Sequence, residues 1–200
     1  MRYPAYATDP KAEIAYVQRR LKDADLVLGY VPLHRRELVV QAGAHAGFWP
    51  ARLAHGFHKV LALEPEPEMF ACAKENVEEL TPCHDRITLV NAALSNVDGR
   101  GRLQRRDSPG TNHLSDDGDV EVCMVTIDSL LDGRGVDAII LDVEGHEQQV
   151  LRGAVKTIIK WCPVIQVELL PRSCDGIHNL LTQFSYRQRL KAHNDAVYTR

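Results

Sequence analysis

The chain has 200 residues, 44% hydrophobic and 26% charged, ordinary values for one soluble globular domain with a sizeable core, and its net charge of −3 gives no general reason to expect a nucleic-acid partner. Five scattered cysteines (Cys72, Cys83, Cys123, Cys162, Cys174) form no C-x-x-C pair, which argues against a disulfide framework or a structural zinc and for a reducing compartment. No apolar run could span a bilayer and MRYPAYATDP has no signal-type apolar core, so a cytoplasmic chain without membrane contact is expected.

In chain order, Asp9-Pro10 makes a helix start, and Ile14, Val17 and Leu21 recur at helical spacing, which predicts an amphipathic helix over residues 10–23. Residues 1–36 read as a helical arm that packs against the main domain (37–200); the sharper alternative is a flap over a ligand. The stretch ELVVQAGAHAGFW follows, a strand from Leu38 to Gln41 that runs into a small-residue turn and a helix over Trp49 to His55. Gly43 and Gly47 leave the backbone bare where the strand ends, so a ligand can approach main-chain N–H groups there. The G-x-x-x-G spacing fits a dinucleotide site, an S-adenosylmethionine site or a tight structural turn.

Strands follow at Lys59 to Glu64 and Ile87 to Val90, with a helix begun by Pro67 between them. VDAIILD, Val136 to Asp142, is a continuous apolar strand of the kind buried on both faces. A helix over Gln148 to Lys160, a strand over Pro163 to Leu169 and a helix around Ile177 to Phe184 come next, then a closing hairpin turned at Asn194-Asp195. The fold class is therefore α/β, a mostly parallel sheet covered by helices on both faces with an antiparallel hairpin at its edge. Residues 95–125 break the alternation and read as an inserted β-hairpin with a long polar tip.

With strand order 3-2-1-4-5, the strand ends would bring Gly43, Glu64, Asn91, Ala92 and Asp142 to one rim. Glu64 could accept both hydroxyls of a ribose, or simply be a solvated strand-end charge. A rim holding Glu64, Asp142 and Glu144 suits a sulfonium-bearing cofactor better than a pyrophosphate, which favours S-adenosylmethionine over NAD(P).

QAGAHAGFW, LEPEP, NAALSNVDG, TIDSLL, DVEGHEQQVLRGA and PVIQVE, in that order from about Val39 to Glu168, resemble the FkbM-type family of S-adenosylmethionine-dependent methyltransferases. The resemblance implies a class I, Rossmann-like methyltransferase fold and methylation of a hydroxyl on a sugar-containing small molecule or glycan. It implies a cofactor site at Gln41, Gly43, Ala44, His45, Gly47, Phe48, Glu64, Pro65, Asn91, Ala92 and Asp142. Within it Gly43, Ala44, His45, Gly47 and Asp142 would lie at the methionine end, Glu64 at the ribose, and Asn91 and Ala92 by the adenine. The family usually has an acid where this chain has Gln41, which keeps hydrogen-bonding capacity and loses a charge, and an asparagine where it has His45. An NAD(P)-dependent oxidoreductase and a non-catalytic Rossmann-like binding domain are the other two readings.

Methyl transfer needs in-line alignment and removal of the acceptor proton. Asp142, Glu144 and His146 beyond the fourth strand and Glu168 at the end of the fifth are the catalytic candidates, with His146 alternatively a solvent-facing helix-start residue. Two or three acids could hold a divalent cation, but no ligand-spacing motif specifies one, so no metal is expected. Asn112 and His113 at the tip of the insertion, with Arg106, are the acceptor-side candidates. The run Arg100, Arg102, Arg105 and Arg106 could engage an anionic acceptor group, or form a solvated edge balanced by Asp116, Asp117 and Asp119.

Overall fold

A computed structural model describes residues 2–171 and 173–200. Helix α1 (Pro10–Arg20) starts where the Asp9 carboxylate accepts the Ala12 N–H at 3.0 Å, with Pro10 supplying a ready-made φ. It ends three residues earlier than its periodicity predicts and passes into a 3-10 segment, Leu21–Gly29. The cause is polar: Arg20 turns to bond the carboxylates of Asp23 and Asp195, and the fully buried Gln166 accepts from Val27 N–H and donates to Asp23 O. These contacts tie the arm to the sheet.

The main elements follow as β1 (Leu38–Ala42), α2 (Phe48–Leu53), β2 (Lys59–Leu63), α3 (Pro67–Leu80) and β3 (Ile87–Val90). The excursion comes next, with β4 (Ala93–Leu94), β5 (Gly99–Gln104), β6 (His113–Leu114) and β7 (Val120–Val125). The chain then continues through α4 (Ile127–Leu131), β8 (Ala138–Leu141), α5 (Glu147–Arg152), α6 (Val155–Trp161) and β9 (Val164–Glu168). It closes with α7 (Cys174–Gln183), β10 (Arg187–Ala192) and β11 (Asp195–Thr199).

The large sheet has the order β3-β2-β1-β8-β9-β11-β10, parallel from β3 to β9 and antiparallel at the last two strands. Strand order reverses between β1 and β8, as the alternation predicts, so the rim at their carboxyl ends is where a ligand belongs. The closing hairpin turns one residue earlier than read from sequence, at His193-Asn194, with Ala192 opposite Asp195. Its second strand slots inside the first. β11 is almost wholly buried against β9, and β10, with Arg187, Arg189 and Lys191 exposed, guards the open edge.

Two apolar layers sandwich the sheet: Ile139, Leu141, Ile165 and Val167 meet α4 to α7 on one face, while Val39, Ile140 and Val164 meet the 3-10 arm and α2 on the other. The single helix expected over residues 148–160 is two, because the chain at Gly153 runs against the excursion. A Cβ there would lie 2.1 Å from Ser95 O, and Gly153 O accepts the Asp128 N–H at 3.0 Å. The excursion is also more than a hairpin. It forms its own four-stranded sheet, β4-β7-β5-β6, around Ala93, Leu103 and Val122. No helix among the described residues is long and apolar enough to cross a membrane.

Candidate active site

At the carboxyl ends of β1, β2, β8 and β9 lies a cavity of about 530 Å³, within the usual range for small-molecule sites. Its floor is Ala42 to His45, Leu63 to Pro65 and Ala92 to Leu94; one wall is Asp142, Val143, Glu144, His146 and Glu168. Its roof comes from two segments distant in sequence, α1 and residues 108–114 of the excursion.

The glycine turn is built by close approach. Gly43 has φ 82°, and a Cβ on it would sit 1.9 Å from Asp142 O, so β1 and β8 can converge only on glycine here. The first three amides of the turn are already committed. Gly43 N–H and Ala44 N–H both donate to Leu63 O, at 3.1 and 2.9 Å, and His45 N–H donates to Glu64 Oε2 at 2.8 Å. Glu64 Oε1 accepts Glu66 N–H at 3.0 Å. Burial pushes the Glu64 carboxyl up to about 7 despite these two hydrogen bonds, and burial pushes the His45 imidazole down to about 4, leaving it neutral. His45 faces the arm, its ring edge-on to Tyr3 with Nδ1 3.3 Å from the Tyr3 hydroxyl.

Opposite the glycine turn, oxygens of Asp142, Glu144 and Glu168 lie within 4.8 Å of one another and form one anionic wall. Burial first, then the charges of Glu168 and Glu144, hold the Asp142 carboxyl well above the usual range; Glu168 is raised by burial and by Glu147. His146 stands beside them with Nε2 3.0 Å from Ser95 Oγ, its pKa lowered by burial. A neutral imidazole, or a carboxylate whose pKa is raised, can accept a proton from a hydroxyl.

Of the residues singled out from sequence, Gly43, Ala44, His45, Phe48, Glu64, Pro65, Ala92, Asn112, His113, Asp142, Glu144, His146 and Glu168 all line this cavity. The remaining four stand beside it. Gln41 is fully buried, and its Nε2 braces the turn by donating to Ala42 O and Gly43 O at 3.2 and 2.8 Å. Gly47 lets α2 pack on α3, since a Cβ would come within 2.9 Å of Val77 Cγ2. Asn91 Nδ2 donates to Glu64 O and Pro65 O, fixing the end of β2. Arg106 is exposed and gives its N–H to Asn112 Oδ1.

The arm is both packing element and wall. Ile14 and Val17 pack into the apolar clusters, Val17 reaching the cavity as well, and Glu13, Tyr16 and Arg20 line the cavity. Sequence periodicity marked only the first set. A clasp joins the arm to the excursion: Ser108 Oγ donates to Glu13, Asn112 Nδ2 to Tyr6 Oη at 3.0 Å, and Thr8 N–H to Asp107 O at 3.3 Å. Arg105 lies over the Tyr6 ring at 4.9 Å while bonding the fully buried Glu66 at 2.7 Å. Two more of the basic run are paired within the excursion, Arg100 with Glu121 at the surface and Arg102 with Gly118 O.

This sheet order, with its site at the β1/β8 switch point, defines a class I methyltransferase fold, and solved structures agree. The chain is similar to the methyltransferase FkbM from Methylobacillus flagellatus KT at 21% identity and TM-score 0.65, over 83% of this chain and 44% of that one. It thus spans less than half the length of that protein. It is also similar to the magnesium protoporphyrin IX methyltransferase from Synechocystis PCC 6803 with bound SAM, at 13% identity and TM-score 0.60, over 94% and 80% of the two chains. A third likeness is to a SAM-dependent O-methyltransferase from Thermotoga maritima, at 15% identity and TM-score 0.57, over 88% and 63%. At such identities these show the fold alone. No curated protein matches in sequence. The sequence does match the methyltransferase FkbM domain over residues 41–188, and the protein belongs to that family.

Proposed function

We propose that the protein is an S-adenosylmethionine-dependent O-methyltransferase acting on a hydroxyl of a sugar-containing small molecule or glycan. The observation that carries the reading is the pairing of an anionic wall (Asp142, Glu144, Glu168) with a glycine turn whose first amides are already bonded to Leu63 O and Glu64. Gly43, Ala44 and His45 have no free amide left for a pyrophosphate, so this part of the donor set speaks against NAD(P). A ligand bearing an ammonium and a sulfonium needs acceptors and anionic surroundings, and these residues offer both.

When bound, S-adenosylmethionine supplies a methyl group on a sulfonium whose neutral thioether is a good leaving group. Glu64 would take the ribose hydroxyls on the lone pairs its two backbone bonds leave over, and Asp142 would face the methionine end. Phe48, Pro65 and Ala92 would give the apolar surface for the adenine side. Asn112 and His113 would hold the acceptor from the roof. Glu144, Glu168 or His146 would receive the proton of the acceptor hydroxyl as its oxygen takes the methyl carbon, and the arm and excursion would exclude water. A cytoplasmic location fits this chemistry.

Isothermal titration of the intact chain with S-adenosylmethionine and S-adenosylhomocysteine is the test. Absence of binding by folded protein removes the reading. Binding followed by a one-methyl mass gain on a hydroxyl-bearing acceptor, and not on amine-only controls, supports it in full.

A further inference from the structure

Glu147 is an acid with no solvent exposure that stands behind the cavity rather than in it. It is the first residue of α5, and its Oε1 accepts two hydrogen bonds, from Val143 N–H at 3.1 Å and from Gly145 N–H at 3.0 Å. Those amides bracket Glu144, which has φ 55°, the left-handed region that a residue with a Cβ resists. Gly145 follows at φ 100°, and His146 N–H closes the turn on Val143 O at 3.3 Å. A strained residue persists only where its surroundings over-determine it, and here a single carboxylate oxygen does so from both sides. If residue 144 relaxed to a negative φ, its Cα–Cβ bond would swing away from the direction that now carries the side chain to the cavity.

We propose that Glu147 is the positioning residue of the acidic wall, its carboxylate fixing the backbone on either side of Glu144 so that this side chain stands in the cavity beside Asp142 and Glu168. The inference rests on the methyltransferase reading only for what the wall does to a substrate; the placement itself belongs to the chain alone.

Glu147 also leaves an electrostatic signature that an inert brace would lack. Asp142 is faced by Glu168 of β9, by Asp195 of β11, and by Glu144 and Glu147 of its own turn. Glu168 is faced by Glu147, by Asp195, by Arg20 of α1 and by Asn194, which hydrogen-bonds it. The Glu147 charge raises both carboxyls, on top of burial.

Two substitutions separate position from charge. Glu147→Gln keeps an oxygen for both amides and removes the charge; Glu147→Leu removes both. In the intact chain, deuterium exchange at the Val143 and Gly145 amides should match wild type in Glu147→Gln and be about tenfold faster in Glu147→Leu. Carboxyl carbon-13 titrations should place Asp142 and Glu168 at lower pH in Glu147→Gln than in wild type. The pH at which S-adenosylhomocysteine binding weakens should move down with them. Exchange unchanged in Glu147→Leu, or titrations unmoved in Glu147→Gln, overturns the proposal. Should Glu147→Leu fail to fold, Glu147→Met, unbranched at Cγ and likewise without a carboxylate for the two amides, takes its place in the exchange measurement. A wild-type chain that binds no S-adenosylhomocysteine sinks the methyltransferase reading, while exchange and titration continue to judge Glu147 by themselves.

Discussion

Gln41→Glu asks whether residue 41 meets the cofactor or braces the turn. Gln41 is fully buried, and its amide donates to the carbonyls of Ala42 and Gly43. A glutamate carboxylate has nothing to donate, so it would set lone pairs against both carbonyls. Two neutral hydrogen bonds contribute about 1 kcal/mol each, and a buried unpaired carboxylate adds about 2 kcal/mol or more before it protonates instead. The loss is then about 4 kcal/mol near neutral pH, a large share of the roughly 5–15 kcal/mol that holds a domain together. At roughly 2–4 °C per kcal/mol for a chain of this size, the melting temperature should fall by about 8–16 °C. The buried carboxyl would have a raised pKa in the folded state, so its stability contribution is retained at low pH and lost as pH rises through that value. Melting followed by circular dichroism at acidic and alkaline pH, with Gln41→Met as the uncharged control losing about 2 kcal/mol, measures both effects. A Gln41→Glu variant as stable as wild type that binds S-adenosylhomocysteine several-fold more tightly would refute this reasoning, because the carboxylate would then be reaching the cofactor ammonium.

Other consequences are open to measurement. Glu144→Gln and His146→Ala should each lower turnover by about 10²-fold or more, far more than either lowers cofactor affinity; unchanged turnover in both rejects their role. Glu64, raised by burial from 4.5 to about 7, withholds stability as pH rises through that window. The stability difference between Glu64→Gln and wild type should therefore shift in favour of the variant by about 3 kcal/mol between those limits, and a shift the other way would count against it. His45, lowered from 6.5 to about 4, carries the opposite sign: its contribution is present above the upper value and lost as pH falls toward the lower. His45→Gln should therefore gain on wild type as the solution is acidified, which chemical denaturation at stepped pH would detect. Arg105→Ala leaves the fully buried Glu66 without its cation and removes the lid over the Tyr6 ring. It should cost about 1–3 kcal/mol, discounted because Arg105 is partly exposed, and should speed tryptic cleavage in the arm at Lys11. An arm that stays equally resistant would mean the clasp is held by other contacts.

What the sequence disclosed tracks with how local the physics is. Alternating apolar runs, Pro67 at a helix start and the all-apolar β8 suffice for the parallel sheet and its switch point. The strand-end positions of Gly43, Glu64 and Asp142 follow from that order alone. Non-local contacts were not legible. The break at Gly153 exists because Ser95 presses on it from the excursion, and the early end of α1 because Arg20 finds Asp195 at the far end of the chain.

The roles of individual side chains divide the same way. Sequence alone determined the fold class, the family and the rim on which chemistry sits, because hydrophobic period and turn residues act over a few neighbours and the motifs survive as contiguous runs. Tertiary structure decided which side of that rim each residue serves. It put Gln41 and Asn91 to bracing the backbone, brought Glu13, Tyr16 and Arg20 from the arm into the cavity wall, and set Glu147 behind Glu144. A periodic pattern says that a face is buried but not against what, and a polar residue finds its partner only once distant strands have closed around it.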